Sequence, residues 1–96
     1  ADMYGMFFSA KSFNQPIGNW DVFNVENMNC LFNEAKSFNQ SLNEWNTSNV
    51  ENVQNMFYGA SSFNQPLNNW NVTNVAHMSH MFFHCDIEEK YKPEFK

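Results

Sequence analysis

Three histidines near the C-terminus have the spacing of a metal site. His77, His80 and His84 stand at i, i+3 and i+7 in HMSHMFFHC, and Cys85 follows directly. On a continuous helix the three imidazoles would share one face, and zinc or copper accepts such ligands. All three, however, occupy positions whose residue type changes between the copies of a repeat described below. Drift at exposed positions is the favoured explanation, metal binding is the weaker hypothesis, and we expect no cofactor.

The two cysteines, Cys30 and Cys85, invite a disulfide. A disulfide needs Cα atoms within about 7 Å of each other. The two positions differ by two 25-residue repeats and five further residues, and strands stacked at about 4.8 Å would hold them about 10 Å apart. We therefore expect no disulfide. Cys85 takes the repeat position of Ala10, Ala35 and Ala60, which predicts a small buried thiol there.

The sequence offers no nucleophile, base and acid that recur together. Ser12, Ser37 and Ser62 share one repeat position, as turn residues would, but no histidine or carboxylate recurs beside them. The three glycines are scattered along the chain and form no phosphate-cradling loop. We expect a protein that is not an enzyme.

The charge balance also excludes one class of partner. Five lysines and no arginine stand against ten acidic residues, and the net charge is −5. A nucleic-acid-binding surface needs clustered basic side chains, so we expect no nucleic acid partner. The hydrophobic content of 43% and the aromatic content of 18% are typical of an ordered domain.

The chain is built from a 25-residue repeat, and this repeat determines where the histidines, cysteines and serines lie in the fold. MFFSAKSFNQPIGNWDVFNVENMNC, LFNEAKSFNQSLNEWNTSNVENVQN and MFYGASSFNQPLNNWNVTNVAHMSH are residues 6–30, 31–55 and 56–80. Residues 1–5 fit the end of a preceding repeat, and residues 81–96 fit a partial repeat with a C-terminal cap. A period of about 20 to 50 residues indicates units that bury their apolar faces only by stacking. We predict a single domain with the form of a repeat solenoid.

The apolar spacing within a repeat predicts its local structure. Trp20 and Val22 are two residues apart, which is strand spacing and would turn both side chains into the core. From Val25 the spacing changes to three, through Met28 and Leu31, as in a short helix or 3₁₀ turns. We therefore expect one short parallel β-strand per coil and a helical or 3₁₀ return.

Two asparagine positions are the same in every repeat. Asparagine carries both a donor and an acceptor on a short side chain, so it can satisfy a tight turn and also bond its equivalent one coil away. We predict two structural ladders, formed by Asn14, Asn39 and Asn64 and by Asn24, Asn49 and Asn74.

The motif IGNWDVFNV, repeated as LNEWNTSNV and LNNWNVTNV, is a variant of the leucine-rich-repeat pattern. Joined to MFxxAxxFNQ, it resembles the repeats of the BspA-like leucine-rich-repeat surface proteins, over residues 3 to about 85. The resemblance implies a leucine-rich-repeat-like fold, a cell-surface or secreted location as part of a longer protein, and a role in adhesion or host interaction without catalysis.

By analogy with leucine-rich-repeat proteins, the strand face is the candidate binding surface. Its outward side chains would be Asn19, Asp21, Phe23, Glu44, Asn46, Ser48, Asn69, Asn71 and Thr73. Neutral and acidic groups of this kind suit hydrogen bonds with sugars, polar peptides or a cation, although a merely solvated face would look the same. Phe23 departs from the pattern, because the other repeats have Ser or Thr in its place.

Three functions follow as hypotheses. The first is a surface module that binds a protein or glycan on another cell or host through the strand face. The alternative is a structural spacer or self-assembling solenoid whose open ends associate. The third is metal binding at His77, His80 and His84.

Overall fold

The repeats lie on top of one another as layers, joined at one point by parallel backbone bridges. The structure, a computed structural model, describes residues 2–95. The bridges pair residues exactly one repeat apart along a single column, Asp2 with Asn27, Asn27 with Asn52, and Asn52 with His77. Residues 6–30, 31–55 and 56–80 are thus three stacked layers, with residues 81–95 as the beginning of a fourth.

Four backbone hydrogen bonds cross each boundary between layers in the forward direction. The N–H groups at alternate positions donate to carbonyls of the following layer, with N to O distances of 2.7–3.0 Å. Across the first boundary the donors are Met3, Gly5, Phe7 and Ser9, and the acceptors are Asn27, Asn29, Leu31 and Asn33. The equivalent residues of the following repeats form the same four bonds across the next two boundaries. Other backbone bonds run in the opposite direction, because the Glu51 N–H donates to the Glu26 carbonyl and the Ala76 N–H to the Glu51 carbonyl.

The predicted leucine-rich-repeat-like solenoid, with a parallel strand and a helical return in each coil, is wrong. Within residues 2–95 there is no strand and no sheet, because pairing stops at isolated single-residue bridges. The helical content of this part of the chain is one 3₁₀ turn, Glu89–Tyr91. The molecule is a compact body of 30 × 26 × 21 Å built almost entirely from turns.

Left-handed residues explain why the spacing of three does not produce a helix. Two positions of the repeat have positive φ in every layer, as at Cys30 and Glu34, where φ is 61°. An L-residue in this conformation interrupts a right-handed helix. Turns closed by i to i+3 hydrogen bonds follow one another instead, as when Leu31 donates to Met28 and Ala35 to Phe32. The spacing of three between apolar residues therefore reflects successive turns and not a helix.

The expected strand fails for a related reason. Turns flank it on both sides, because the Trp20 N–H donates to the Ile17 carbonyl and the Val25 N–H to the Val22 carbonyl. Only residues 20–22 remain between them, which is too short for a ladder of backbone bonds. In this half of the layer the contact between neighbours is made by side chains.

Two phenylalanines per layer form the centre of the core. Within a layer their rings stack at 4.1–4.2 Å between centroids, as in the pair of Phe32 and Phe38. Between layers the equivalent rings stack at 5.4–5.9 Å, so that Phe32 lies between Phe7 and Phe57. Aromatic area of this kind contributes most of the burial that an individual repeat lacks.

Tryptophan burial depends on the presence of an earlier layer. Trp45 is 3% exposed and Trp70 is 6% exposed. Their indole Nε1–H groups donate to carbonyls of the preceding layer, Ile17 at 3.0 Å and Leu42 at 2.9 Å. Trp20, which we expected in the core, is 41% exposed because no earlier layer within residues 2–95 covers it.

The C-terminal segment continues the stack with a shortened register. The Glu88 N–H donates to Asn64 Oδ1 and the Leu67 N–H donates to the Tyr91 carbonyl, both across 24 residues. One residue is therefore missing relative to the repeat. Ile87 is buried where the other layers have phenylalanine, so the core extends into this segment.

Candidate functional site

The nine residues of the predicted binding face lie at equivalent positions of three layers, which we call the polar row. It consists of Asn19, Asp21, Phe23, Glu44, Asn46, Ser48, Asn69, Asn71 and Thr73. All are exposed except Ser48, which is half-buried. The row is accessible to a ligand, although it lies on turns rather than on a strand.

Asx turns fix the central column of the polar row. The Oδ1 atoms of Asp21, Asn46 and Asn71 accept the backbone N–H two residues further on, at 3.0, 3.2 and 3.0 Å. Such a bond is the reason that Asp or Asn recurs at this position. The Asx-turn bond also holds the side-chain amides of Asn46 and Asn71 in a fixed position on the surface. Their Nδ2 groups make no hydrogen bond within residues 2–95.

A cleft of about 500 Å³ opens at the C-terminal end of the polar row. Asn71 and Thr73 of the polar row contribute to its wall, together with apolar and other polar side chains. The cleft, which we call the C-terminal cleft, is lined by Asn68, Trp70, Asn71, Val72, Thr73, Val75, Met78, Glu94 and Phe95. It combines amide donors, one carboxylate and apolar surface, which is the composition of a site for a polar ligand.

Sequence reasoning missed this cleft because it stopped the repeat at residue 85. Phe95 lies 25 residues after Trp70, but the C-terminal segment is one residue short of the repeat, so Phe95 is not at the repeat position of Trp20 and Trp45. The repeat period alone therefore gives no signal for this cleft. A second, shallower depression of about 330 Å³ lies at the other end of the row, where Asn19 and Glu44 contribute to its lining.

The first asparagine column forms a continuous ladder. The backbone N–H of Asn39 donates to Asn14 Oδ1, and that of Asn64 donates to Asn39 Oδ1, both at 2.9 Å. The Nε2 groups of Gln40 and Gln65 donate to the same oxygens at 3.1 Å. Each of these side chains therefore closes a corner between two layers.

The second asparagine column uses its amide nitrogen instead. Asn49 Nδ2 donates to the Phe23 carbonyl and Asn74 Nδ2 to the Ser48 carbonyl, both at 2.7 Å. Asn24 is the first member of this column. Both columns lie at contacts between layers, so stacking explains why asparagine recurs at these two positions.

The three histidines are not grouped as a metal site within residues 2–95. His80 and His84 are exposed and have left-handed backbones, with φ of 57° and 60°. Their rings lie against Phe83, at 5.5 Å and 4.3 Å between centroids. His77 occupies the bridge column. Across residues 2–95 no group of three or more histidine, cysteine or acidic side chains is placed to hold a metal ion.

The two cysteines are free thiols in different surroundings. Cys30 is buried, and its Sγ lies 3.0 Å from Asn29 Oδ1. Cys85 is half-buried and donates to the Phe63 carbonyl at 3.6 Å. Burial raises the pKa of the Cys85 thiol, and the negative charge of Asp86 acts in the same direction. The Cys85 thiol is therefore protonated, and weakly nucleophilic, at neutral pH.

Comparison with known proteins places almost the whole chain in one family. A family model described as "Mycoplasma protein of unknown function, DUF285" matches residues 1–93. No curated protein and no solved structure matches the chain. These comparisons do not test the resemblance to BspA-like surface proteins, which stays a prediction. Among the described residues no helix has the length and apolar character required to span a membrane.

Proposed function

The chain belongs to the DUF285 family, and we propose that it is a non-enzymatic module that binds a protein or glycan through the polar row. The C-terminal cleft is the part of that surface where a ligand group enters. The resemblance to BspA-like proteins favours a cell-surface or secreted location, with the ligand on another cell or on a host surface.

One observation carries this proposal: the exposed amides of the polar row are held in place before any ligand arrives. Asx-turn bonds at 3.2 and 3.0 Å use the Oδ1 atoms of Asn46 and Asn71 and leave each Nδ2 donor available. A ligand that binds fixed donors loses less conformational entropy than one that must order them. A regular row of such donors supports binding to a polar, extended ligand.

The C-terminal cleft supports a ligand with both polar and apolar surface. Asn71 and Thr73 belong to the row and to the cleft, and Phe95 and Val75 add apolar lining beside them. Aromatic surface next to amide groups suits a sugar ring or an aromatic peptide side chain. Glu94 adds an acceptor for ligand hydroxyl or amine groups.

The proposal is tested by changing the exposed donors without breaking the turns. Asn46→Asp with Asn71→Asp keeps the Oδ1 acceptors of both Asx turns and removes both Nδ2 donors. The probes are an immobilised glycan array and a panel of extracellular-matrix proteins, with the 96-residue chain as analyte. Two lost hydrogen bonds of about 1 kcal/mol each weaken binding about 30-fold.

The matched control carries the same two charges away from the row. Asn14→Asp with Asn39→Asp keeps the ladder acceptors, and we expect wild-type binding. Equal binding by the row variant and the wild type would refute the polar row as the site. Binding to no probe in either panel would count against the adhesion function itself.

A second candidate function is a self-assembling spacer. It is favoured by the exposed apolar side chains at the first layer, where Met6 and Phe8 are about half-exposed. This function concerns the ends of the stack rather than its side, so both can operate in one molecule.

A further inference from the structure

The depression of about 330 Å³ beside Asn19 and Glu44 lies where one repeat lacks a side chain. Gly18 stands there, whereas the other two repeats carry asparagine, Asn43 and Asn68, at the same position. Both walls of the depression belong to complete repeats, the first and the second layer. We call it the glycine notch, and it is lined by Pro16, Gly18, Asn19, Gln40, Ser41 and Glu44.

The next boundary between layers shows what asparagine does at this position. Asn43 Oδ1 accepts a hydrogen bond at 3.0 Å from the backbone N–H of Asn69, one layer further on. At the first boundary the equivalent donor is the Glu44 N–H, and Gly18 has no side chain that accepts from it. The Glu44 N–H makes no hydrogen bond within residues 2–95. The notch therefore has an unused donor where the next boundary has a carboxamide oxygen.

Close backbone packing explains why the chain does not fill the notch itself. A Cβ at Gly18 would lie 2.6 Å from the Ser41 carbonyl oxygen, so a side chain at this position requires that carbonyl to move. Glycine avoids the collision and leaves the space in front of the Glu44 N–H open. An acceptor for this donor therefore has to come from outside the chain.

The remaining lining offers further partners for a small ligand group. Ser41 replaces Pro16 and Pro66 of the other repeats, and its N–H and hydroxyl make no hydrogen bond within residues 2–95. Gln40 Nε2 donates to Asn14 Oδ1 at 3.1 Å, which fixes the Gln40 amide and leaves its carbonyl oxygen as an acceptor. Pro16 supplies apolar surface beside these groups.

The charge of the glycine notch determines which kind of acceptor it takes. The Glu44 carboxylate is part of the lining, none of the six lining residues is basic, and the net charge of the chain is −5. These charges repel an anionic oxygen, so the matching acceptor is a neutral carbonyl. An acetamido group has such a carbonyl, an N–H for an acceptor such as Gln40, and a methyl group for Pro16.

We propose that the glycine notch binds the acetamido group of an N-acetylated amino sugar. The ligand carbonyl takes the place of the missing asparagine oxygen and accepts the Glu44 N–H. The side chains of Asn19, Ser41 and Glu44 make no hydrogen bond within residues 2–95, and the ring hydroxyls of a sugar use them. An asparagine side chain of a peptide brings the amide alone. This inference rests on the proposed function, because it names the ligand group for one end of the polar row.

The test is a titration of the ¹⁵N-labelled 96-residue chain with N,N′-diacetylchitobiose, followed by the NMR signals of the backbone amides. Cellobiose is the matched probe, because it carries hydroxyl groups in place of the acetamido groups. We expect the Glu44 amide signal to shift with diacetylchitobiose and to stay unchanged with cellobiose. The Asn69 amide is already bonded to Asn43, so its signal should not shift with either sugar.

Two variants close the notch at one boundary and open it at the next. Gly18→Asn gives the Glu44 N–H a carboxamide of the chain itself, and it should weaken binding at least about fivefold, the value of one hydrogen bond. Asn43→Gly removes the acceptor of the Asn69 N–H, so the Asn69 signal should now shift with diacetylchitobiose. Thermal unfolding verifies that both variants are folded. Asn43→Gly adds no side chain, so its result does not depend on how Gly18→Asn packs.

Ser61→Lys is the control variant, because Lys11 and Lys36 occupy its repeat position and it does not line the notch. It should bind diacetylchitobiose as the wild type does. Equal shifts with cellobiose would refute recognition of the acetamido group, and an unchanged Glu44 signal or full binding by Gly18→Asn would exclude the notch. A larger shift with the tripeptide Gly-Asn-Gly would assign the notch to a peptide instead.

Failure of this inference and failure of the proposed function give different results. Binding to the glycan array or to the matrix proteins without a shift of the Glu44 signal would refute the glycine notch alone. A shifted Glu44 signal without binding in either panel would retain the notch and count against adhesion through the polar row.

Discussion

Replacing Trp45 by phenylalanine should test how strongly one layer is attached to the layer before it. The Trp45 indole is 3% exposed, and its Nε1–H donates to the Ile17 carbonyl at 3.0 Å. Its ring also stacks on Trp70, at 6.4 Å between centroids. Phenylalanine keeps one aromatic ring in the core but removes the donor and the second ring.

The expected cost follows from two contributions. The Ile17 carbonyl also accepts the backbone N–H of Trp20 at 3.1 Å, so it keeps one partner in the variant. Loss of the indole hydrogen bond should therefore lower the free energy of unfolding by only about 1 kcal/mol, the low end of the usual cost of removing a buried hydrogen bond. Removal of the second ring leaves a void of about 40 Å³, which at about 24 cal/mol per Å³ costs about 1 kcal/mol more. We expect Trp45→Phe to lower the free energy of unfolding by about 2 kcal/mol.

Urea and thermal unfolding measure this loss, and Trp20→Phe is the matched control. The same chemical change at Trp20 affects a side chain that is 41% exposed. It should cost less than about 0.5 kcal/mol, as surface substitutions do. About 2 kcal/mol at Trp45 corresponds to a fall in Tm of about 8–16 °C for a domain of this size. If the two variants lose equal stability, the indole bond does not attach neighbouring layers and the reasoning is refuted.

Three further predictions address the ladder, a left-handed turn and a buried thiol. Asn39→Ala should lower the free energy of unfolding by about 1 kcal/mol because the Asn64 N–H loses its acceptor, whereas Asn39→Asp keeps that oxygen and should cost much less in the same urea titration. Gly59→Ala should cost about 1 kcal/mol by thermal unfolding, since φ is +71°, a backbone conformation that strains a residue with a Cβ; unchanged stability would contradict this. The raised pKa of Cys85 stabilises the fold below the ordinary thiol pKa of about 8.5, and this contribution is lost as pH rises through the folded value. The Tm of the wild type should therefore fall more steeply above about pH 8.5 than that of Cys85→Ala, and parallel curves would contradict the assignment.

The register of this molecule can be read from its sequence, because stacking requires the same residue at the same place. The 25-residue offset between Asn14 and Asn39 is the offset at which their backbone and side chain bond. Asparagine recurs there because an acceptor is needed in each layer to close the same corner. The exposed positions of the polar row, such as Asn46 and Asn71, follow from the same register.

The backbone conformation between these recurring asparagine positions could not be predicted from the sequence in the same way. A spacing of three between apolar residues is common to helices and to successive turns, and only the left-handed positions distinguish them. Those positions carry Ser9, Glu34 and His84, none of which is the glycine that usually marks positive φ. Only Gly59 gives that signal in its column. The residues that prevent a helix are thus the ones whose identity varies most.

Burial of the core depends on neighbours more than on residue type. Trp20 and Trp45 occupy one column and differ only in whether an earlier layer covers them, yet their exposures are 41% and 3%. A layer therefore completes its core only when another layer stacks on it. The polar row has no such requirement, because its Asx turns are closed within one layer. Stacking of the layers and binding at the polar row can accordingly be changed by separate substitutions.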